Sequence, residues 1–307
     1  MTKELVQLRD LAAYFPVDEK SLTPEQRRQA LNFLMLLTEK RNGKIKGRGV
    51  ADGSKQRRQP TYKKEDNASP TVANENIFIT SAIEAHEERD MATFDLPGAY
   101  LHALSDEEII MLLKGPVAEL MVAIDPTIYR KYVTTSSKGE PMLYVRVNKA
   151  LYGLLKSALL FYRKLVEDLK AYGFKVNPYD PCVANAMING HQMTVTWHVD
   201  DLKVPHQDPF EITLLADYLQ GIYGNVDVHR GKIHDYLGVD FDFTERKKVK
   251  VSQIKYLCGV LKEFPEEITG TAATPAAEHL FVIRPDDDPK KKYLPEEQAV
   301  IFHRTTA

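Results

Sequence analysis

Cysteine is nearly absent from this chain of 307 residues, in which Cys182 and Cys258 are the only two. Two cysteines exclude a disulfide-rich scaffold and a zinc site built from cysteine alone, and we expect both thiols to be reduced and buried. Long apolar runs are also missing. None approaches the roughly 20 residues of a membrane-spanning helix, and the segment after Met1 contains no apolar signal core. These absences predict an intracellular protein without a membrane partner.

The chain also lacks a strong excess of either charge, since its formal net charge is −2. Most nucleic-acid-binding proteins are more basic, but the charges are separated along this chain. Residues 41–66 contain nine Lys and Arg against three acidic residues, and residues 141–175 contain seven against two. Acidic residues concentrate around 84–90 and 106–108. This separation is typical of an enzyme with a polyanion track and a carboxylate centre, although solvated surface charges remain an alternative.

Apolar spacing predicts helices and strands that do not alternate regularly, which indicates an α+β fold. Helices are predicted over residues 23–41, 70–85, 158–172 and 210–221. Strands are predicted at 91–101, where a strand leads into a short helix, and at 143–147, 193–198, 202–205, 236–243 and 248–252. Residues 43–60 predict a basic hairpin or loop, and the tail from 269 to 307 shows no closing element.

The pair Asp200-Asp201 lies between two β-rich apolar segments. Val195, Trp197 and Val199 alternate before the pair, and Leu202 and Val204 follow it. Two acids within such a run would be costly to bury without a cation, which favours a metal site at the tip of a hairpin. The run Asp286-Asp287-Asp288 differs, because its charged surroundings next to proline predict a solvated loop.

Asp95, which follows an apolar segment, could supply a third carboxylate. Nucleotidyl transfer with two Mg2+ ions roughly 4 Å apart requires carboxylates that meet from rigid elements. A metal-dependent phosphohydrolase with the same acids is an alternative. A zinc site at His198 and His206 is another, although no third nitrogen ligand lies nearby in the sequence.

Five short motifs occur in an order that resembles the reverse transcriptases of copia-type retrotransposon Pol polyproteins. They are KGRGVADG at 46–53, FDLPGAYLHA at 94–103, KALYGLLKSALLFY at 149–162, WHVDD at 197–201 and YLG at 236–238. His198 stands where this family usually has Tyr, and Lys156 stands where it usually has Gln. The motifs span most of the chain, so the ordered set argues against chance.

The resemblance implies a right-hand polymerase fold in which fingers and palm are interleaved in sequence. An antiparallel palm sheet would be backed by helices and followed by a partial thumb or connection. We expect the fingers at residues 1–83 and 106–154, the palm at 84–105 and 155–245, and the start of the thumb or connection at 246–307.

The resemblance also implies roles for individual residues. Asp95, Asp200 and Asp201 would be catalytic and would hold two Mg2+ ions, with Mn2+ as a substitute and help from the main-chain carbonyl of Leu96. Nucleotide-binding residues would be Lys46, Arg48, Tyr100, Tyr152 and Gly153. Tyr100 would exclude a ribose 2′-hydroxyl, unless it is an ordinary core tyrosine. Residues that bind template or primer would be Lys149, Lys156 and His198.

The implied activity is RNA-directed DNA synthesis from dNTPs on a primed RNA or DNA template. The chain would be a piece of a Pol polyprotein that also carries integrase and ribonuclease H. We expect it in the cytoplasm, within a virus-like particle, and a nuclear phase could follow. An alternative is an inactive or domesticated fragment that only binds nucleic acid.

Overall fold

The computed structural model describes residues 2–39, 43–58, 63, 65–263, 270–271, 273–274, 282, 285, 288–289 and 291–306. The helices of this part are α1 (Thr2–Asp10), α2 (Pro24–Gln29), α3 (Ser54–Arg57), α4 (Asn74–His86), α5 (Pro116–Ile124), α6 (Pro126–Tyr129), α7 (Ser157–Tyr172), α8 (Pro209–Tyr223), α9 (Ile254–Glu263) and α10 (Glu296–Thr306). Short 3-10 turns occupy Glu19–Ser21, Ala99–His102 and Arg130–Tyr132.

The strands are β1 (Tyr14–Pro16), β2 (Leu31–Glu39), β3 (Ile45–Ala51), β4 (Asp90–Asp95), β5 (Ile110–Lys114), β6 (Val133–Thr135), β7 (Pro141–Val147), β8 (Lys175–Val176), β9 (Val183–Ile188), β10 (His191–His198), β11 (Asp201–His206), β12 (Asp227–Arg230), β13 (Ile233–Tyr236), β14 (Val239–Asp242) and β15 (Lys250–Ser252). Strands and helices are mixed without regular alternation, which confirms the predicted α+β class.

The first sheet has the order β1-β7-β5-β2-β3, with β6 paired to β7. Only the β2–β5 pair among these is parallel. Its apolar face packs with side chains of α1 and α5 in one core, where Leu5, Met111 and Met121 have no solvent exposure. The β2–β3 hairpin extends from this sheet and carries the predicted fingers cations.

The second sheet has the order β12-β4-β11-β10-β9-β8, and every pair in it is antiparallel. Apolar side chains of β4 and β11 share a core with residues of α7 and α8, including Phe94, Leu202, Leu165 and Leu215. The antiparallel sheet backed by helices is therefore present as predicted, and it positions the acidic hairpin. The division into fingers, palm and thumb by residue number stays a prediction.

The third sheet, β13-β14-β15, corrects the strand predicted at 236–243. Tyr236 pairs with Val239, and the chain turns at Leu237 and Gly238, whose φ angles are +55° and +76°. Two successive residues with positive φ are typical of a type I′ hairpin turn. The apolar run therefore crosses a turn and belongs to two strands.

The helix predicted over residues 23–41 is also wrong in its second half. Thr23 and Gln26 form the capping box that starts α2 as expected, but the helix ends at Gln29. The leucine-rich segment that follows is β2, which pairs with β3 from Phe33–Ala51 to Glu39–Ile45. Helical and strand periodicities overlap in such a short apolar run, and only the distant partner strand decides between them. The predicted helix end at Arg41-Asn42 lies outside the described residues.

Other predicted elements are found close to their expected places. α4, α7 and α8 match three predicted helices, and Gly173 ends α7 with φ +118°. Contrary to expectation, the tail contains a helix, α10, while the predicted loop at Asp286-Asp287 lies outside the described residues. Among the helices of the described part, none is long and apolar enough to cross a membrane.

The two cysteines differ from each other, which corrects the expectation that both are buried. Cys182 is buried, and burial raises the pKa of its thiol to about 12. Cys258 is exposed on α9. A count of cysteines does not show that α9 leaves its residues exposed or only partly buried.

Candidate active site

The Asp200-Asp201 hairpin has a tight two-residue turn at its tip. β10 and β11 pair up to His198 and Asp201, which leaves Val199 and Asp200 to make the turn. Val199 has φ +60°, a region that β-branched residues rarely adopt. The main-chain N–H of Leu96 donates a hydrogen bond to the carbonyl oxygen of Asp200, at 3.2 Å. The strained tip is therefore fixed to the chain that follows Asp95.

Asp95 is the last residue of β4 and lies directly opposite Asp201 on β11. Cβ atoms of directly opposite antiparallel residues are about 4.5–5.5 Å apart, and their side chains leave the sheet on the same face. The sequence therefore predicted correctly that Asp95 and the hairpin would be neighbours. On its other side, Asp95 lies opposite Asp227 of β12.

Asp227 and Asp235 were not singled out from the sequence, yet both line a pocket of about 270 Å³ together with Asp95 and Asp201. Asp235 carried a weak signal, because it directly precedes the YLG motif. Asp227 lies in an exposed segment without an apolar pattern, and only strand pairing reveals its place.

The negative charges of this group act on one another. Partial burial of its carboxyl group raises the pKa of Asp201 to about 6, and the charges of Asp200 and then Asp95 add to the rise. His198, the strand partner of Asp201, opposes the shift. A divalent cation would relieve this repulsion, and carboxylate oxygens are ligands that Mg2+ and Mn2+ prefer.

The carboxylates fit a hard cation in chemistry and in backbone placement, but their oxygens do not converge on one point. Within the described ranges, no three His, Cys, Asp or Glu side chains lie close enough together to hold an ion. The carbonyl of Leu96 accepts a hydrogen bond from the N–H of Ala99 at 3.2 Å, and a carbonyl oxygen has a second lone pair with which it could bind an ion. Rotation of side chains on adjacent strands would be needed to complete the site.

Tyr100, Tyr152 and Arg48 form an aromatic and cationic group beside the hairpin tip. The two tyrosine rings have centroids 4.6 Å apart, and the Arg48 guanidinium lies 5.1 Å from the centre of the Tyr152 ring. Burial raises the pKa of Tyr152 to about 12, the Asp200 carboxylate adds to the rise, and Arg48 opposes it. The pKa of Tyr100 is also raised by burial and by the Asp200 carboxylate, and Arg48 again opposes the rise. The structure therefore brings three predicted nucleotide-binding residues together, within electrostatic range of Asp200.

The comparison with known proteins decides the family. The family described as "Reverse transcriptase (RNA-dependent DNA polymerase)" matches residues 24–278. The chain belongs to this reverse transcriptase family. The reverse transcriptase family that the motifs predicted is thereby confirmed. Membership in this family implies dependence on a divalent metal in general.

A curated relative is the "Retrovirus-related Pol polyprotein from transposon TNT 1-94" of Nicotiana tabacum. It is 25% identical over 240 residues, which cover 77% of this chain and 16% of the relative. Similar solved structures include telomerase from Candida albicans in complex with a telomeric RNA fragment, with TM-score 0.42, 10% identity, and coverage of 80% of this chain and 49% of that one. A foamy viral protease-reverse transcriptase in complex with double-stranded DNA has TM-score 0.40, 13% identity, and coverage of 86% and 35%.

Helix α1 of this reverse transcriptase supports the strand that carries Arg48, a role that the motifs did not reveal. The Glu4 carboxylate accepts a hydrogen bond from the main-chain N–H of Gly49 at 3.0 Å. Gln7 of the same helix lies against Gly98, where an added Cβ would come within 2.9 Å of the Gln7 amide nitrogen. α1 therefore contacts both β3 and the turn that follows Asp95.

Gly153 has a structural reason to be glycine. Its φ is +91°, and an added Cβ would lie 2.0 Å from the carbonyl oxygen of Ala51. The N–H of Ala51 also donates to the carbonyl of Tyr152 at 2.7 Å. This close backbone contact joins the end of β3 to the Tyr152 segment, whereas contact of Gly153 with a nucleotide stays a prediction.

The lysines predicted to bind nucleotide, template or primer make their described contacts away from Asp95, Asp200 and Asp201. Lys46 is exposed two residues before Arg48 on β3 and on the same face. Lys149 makes an isolated bridge with Leu104. Lys156 forms ion pairs with Glu107 and, at 3.6 Å, with Asp106. The sequence shows both the lysine and the acidic run, but their pairing requires the fold.

The zinc alternative at His198 and His206 is not supported by the geometry. His198 pairs with Asp201 at the tip of the hairpin, while His206 pairs with Asp90 at the opposite end of β11. Asp201 and His206 are five residues apart on β11, which corresponds to about 17 Å at about 3.4 Å per residue. The two rings are therefore too far apart to bind the same ion. His206 is fully buried, and its Nδ1 accepts a hydrogen bond from the N–H of Asp208.

Proposed function

We propose that this reverse transcriptase domain is an active polymerase that adds deoxynucleotides from dNTPs to a primer on an RNA or DNA template. The observation that carries the proposal is the position of Asp95 directly opposite Asp201, with Asp200 beside it at the hairpin tip. Three carboxylates on two adjacent strands and one turn are the arrangement that two-metal nucleotidyl transfer requires.

Asp95, Asp200 and Asp201 would hold two Mg2+ ions, for which Mn2+ could substitute, with the Leu96 carbonyl as a further ligand. When bound, the ions would lower the pKa of the primer 3′-hydroxyl and stabilise the pyrophosphate that leaves. The chain would hold the carboxylates of Asp95, Asp200 and Asp201 on rigid elements. The Leu96–Asp200 hydrogen bond and the β4–β11 ladder fix the backbone of these three residues.

The group of Tyr100, Tyr152 and Arg48 would receive the incoming nucleotide. Arg48, with Lys46 on the same face of β3, would offset the charge of the triphosphate. The ring of Tyr100 packs on Tyr152 and would leave no room for a ribose 2′-hydroxyl. Gly153 would permit close approach of the nucleotide to the backbone, as it does for Ala51.

Lys149, Lys156 and His198 would contact the template and primer through the sugar-phosphate backbone, which positions the duplex without reading its sequence. Lys156 would then exchange its partners Asp106 and Glu107 for phosphate oxygens. The rest of a Pol polyprotein, with integrase and ribonuclease H, is proposed as a covalent partner, because the related chain from Nicotiana tabacum is a Pol polyprotein.

Primer extension tests the proposal. The purified chain is incubated with poly(rA)/oligo(dT), dTTP and Mg2+, and parallel reactions omit the primer or contain EDTA. We expect elongation that needs the primer and stops with EDTA. If the folded protein binds the hybrid without elongating it, the alternative of a fragment that only binds nucleic acid is correct. Phosphate release without primer would instead indicate a phosphohydrolase.

A further inference from the structure

Tyr236 reaches from the third sheet to the acidic hairpin. It is the last residue of β13, and its side chain is only 3% exposed. The residues that follow, Leu237 and Gly238, form the exposed turn to β14. Tyr236 therefore has its ring inside the protein at the place where the third sheet meets the hairpin.

The hydroxyl of Tyr236 contacts the main chain of both hairpin strands. Its oxygen lies 3.2 Å from the carbonyl oxygen of Asp201 on β11 and 3.4 Å from the carbonyl oxygen of Thr196 on β10. The hydroxyl has one proton to donate, and the shorter contact is with Asp201. One side chain thus connects the third sheet to the residue whose carboxylate faces Asp95.

We propose that Tyr236 is a positioning residue that holds the backbone of Asp201, and with it the Asp201 carboxylate, against Asp95. This inference rests on the proposed polymerase function. A shift of the Asp201 main chain moves its carboxylate by a similar distance, and a misplacement of about 1 Å can slow an enzymatic reaction about a hundredfold. The tip needs such support, because the turn residue Val199 has a strained positive φ.

The contact is separable from packing by a single substitution. Tyr236→Phe keeps the ring in the core and removes only the hydroxyl. Tyr218 provides a matched control, since its hydroxyl donates to the main-chain carbonyl of Asp168 at 3.0 Å. That bond joins α8 to α7 and does not involve the hairpin. Both variants lose one tyrosine hydroxyl bonded to a main-chain carbonyl, at different places in the same core.

The test measures single-turnover incorporation of dTTP by the wild type, Tyr236→Phe and Tyr218→Phe, with hydrogen exchange of residues 195–206 read by mass spectrometry. We expect Tyr236→Phe to slow incorporation about ten- to a hundredfold, with the dTTP concentration for half-maximal rate changed less than about twofold. The main-chain amides of residues 195–206 should exchange faster in Tyr236→Phe than in the wild type. Tyr218→Phe should remain close to the wild type in rate and in hairpin exchange.

A rate for Tyr236→Phe within twofold of the wild type overturns the inference, and so does an equal loss in both variants. A wild type without any activity contradicts the proposed function instead, and hydrogen exchange then decides the inference. Faster exchange of residues 195–206 in Tyr236→Phe alone supports a positioning hydroxyl, and unchanged exchange overturns it.

Discussion

Asp95 and Asp201 lie directly opposite each other on β4 and β11, so their side chains leave the sheet on the same face. Asp200 occupies the turn beside them, and its carbonyl is bonded to the N–H of Leu96. The three acids come from parts of the sequence about a hundred residues apart, and the antiparallel ladder brings them together.

Tyr100 should control the choice between deoxyribonucleotides and ribonucleotides. Tyr100→Ala opens the space next to Tyr152, so we expect kcat/KM for ribonucleotides relative to dNTPs to rise about tenfold or more, because a clash with the 2′-hydroxyl is removed. Tyr100→Phe keeps the ring and should keep the discrimination. Steady-state incorporation of dTTP and UTP on poly(rA)/oligo(dT) measures both. Equal discrimination in Tyr100→Ala and the wild type would show that Tyr100 is only a core residue.

Arg48 should matter for nucleotide binding through its charge. Arg48→Ala should lower kcat/KM for dTTP about ten- to a hundredfold, because a cation near the triphosphate is lost. The matched control is Arg57→Ala, since Arg57 is exposed on α3. It should leave kcat/KM unchanged. If both variants lose activity equally, the effect of Arg48 reflects general electrostatic attraction and not contact with the nucleotide.

Lys203, two residues after Asp201, forms a buried ion pair with Glu84. The side chains of Lys203 and Glu84 are 0% and 1% exposed. Burial lowers the pKa of Lys203, while Glu84 opposes the shift. Lys203→Met alone leaves a buried carboxylate without its cation, so we expect the free energy of unfolding to fall by about 3–5 kcal/mol. Urea unfolding followed by fluorescence of Trp197, the single tryptophan, measures the change.

The double variant Lys203→Met/Glu84→Leu should recover most of that stability, because it replaces both charges with apolar groups. Lys255→Met provides the control, since it removes the lysine of the Lys255–Asp240 pair, in which Lys255 is 78% exposed. No measurable change is expected there. A double variant less stable than Lys203→Met alone would contradict this description of the pair.

The sequence predicted the acidic hairpin and its neighbour Asp95 because both carry strong local signals. An acidic pair inside an alternating apolar run and an aspartate at the end of a strand can be recognised without their partners. Arg48 and Tyr152 were assigned to the nucleotide pocket only through the family resemblance. Their contact depends on β3 crossing the segment at Gly153, where the backbones meet too closely for a side chain.

Other features depend on long-range pairing and could not be predicted. The leucine-rich segment of β2 was assigned to a helix because its partner strand is not apparent from its own pattern. Lys203 lies within an apolar strand, and its carboxylate partner Glu84 is 119 positions away. Asp227 becomes a neighbour of Asp95 only because β12 returns to the edge of the sheet. In each case the missing information is the identity of a distant partner.

The most direct test of a metal centre at Asp95, Asp200 and Asp201 compares Asp95→Asn with Asp227→Asn in single-turnover incorporation of dTTP with Mg2+. Both aspartates lie in the same row of strand partners, on adjacent strands. Asp95→Asn should be slower by at least about a thousandfold, because a metal ion contributes several kcal/mol of transition-state stabilisation. Binding of the hybrid should persist, since the phosphate contacts remain.

Asp227→Asn should slow the reaction less than about tenfold. Incorporation by Asp95→Asn at the wild-type rate, or an equal loss in both variants, would contradict the assignment.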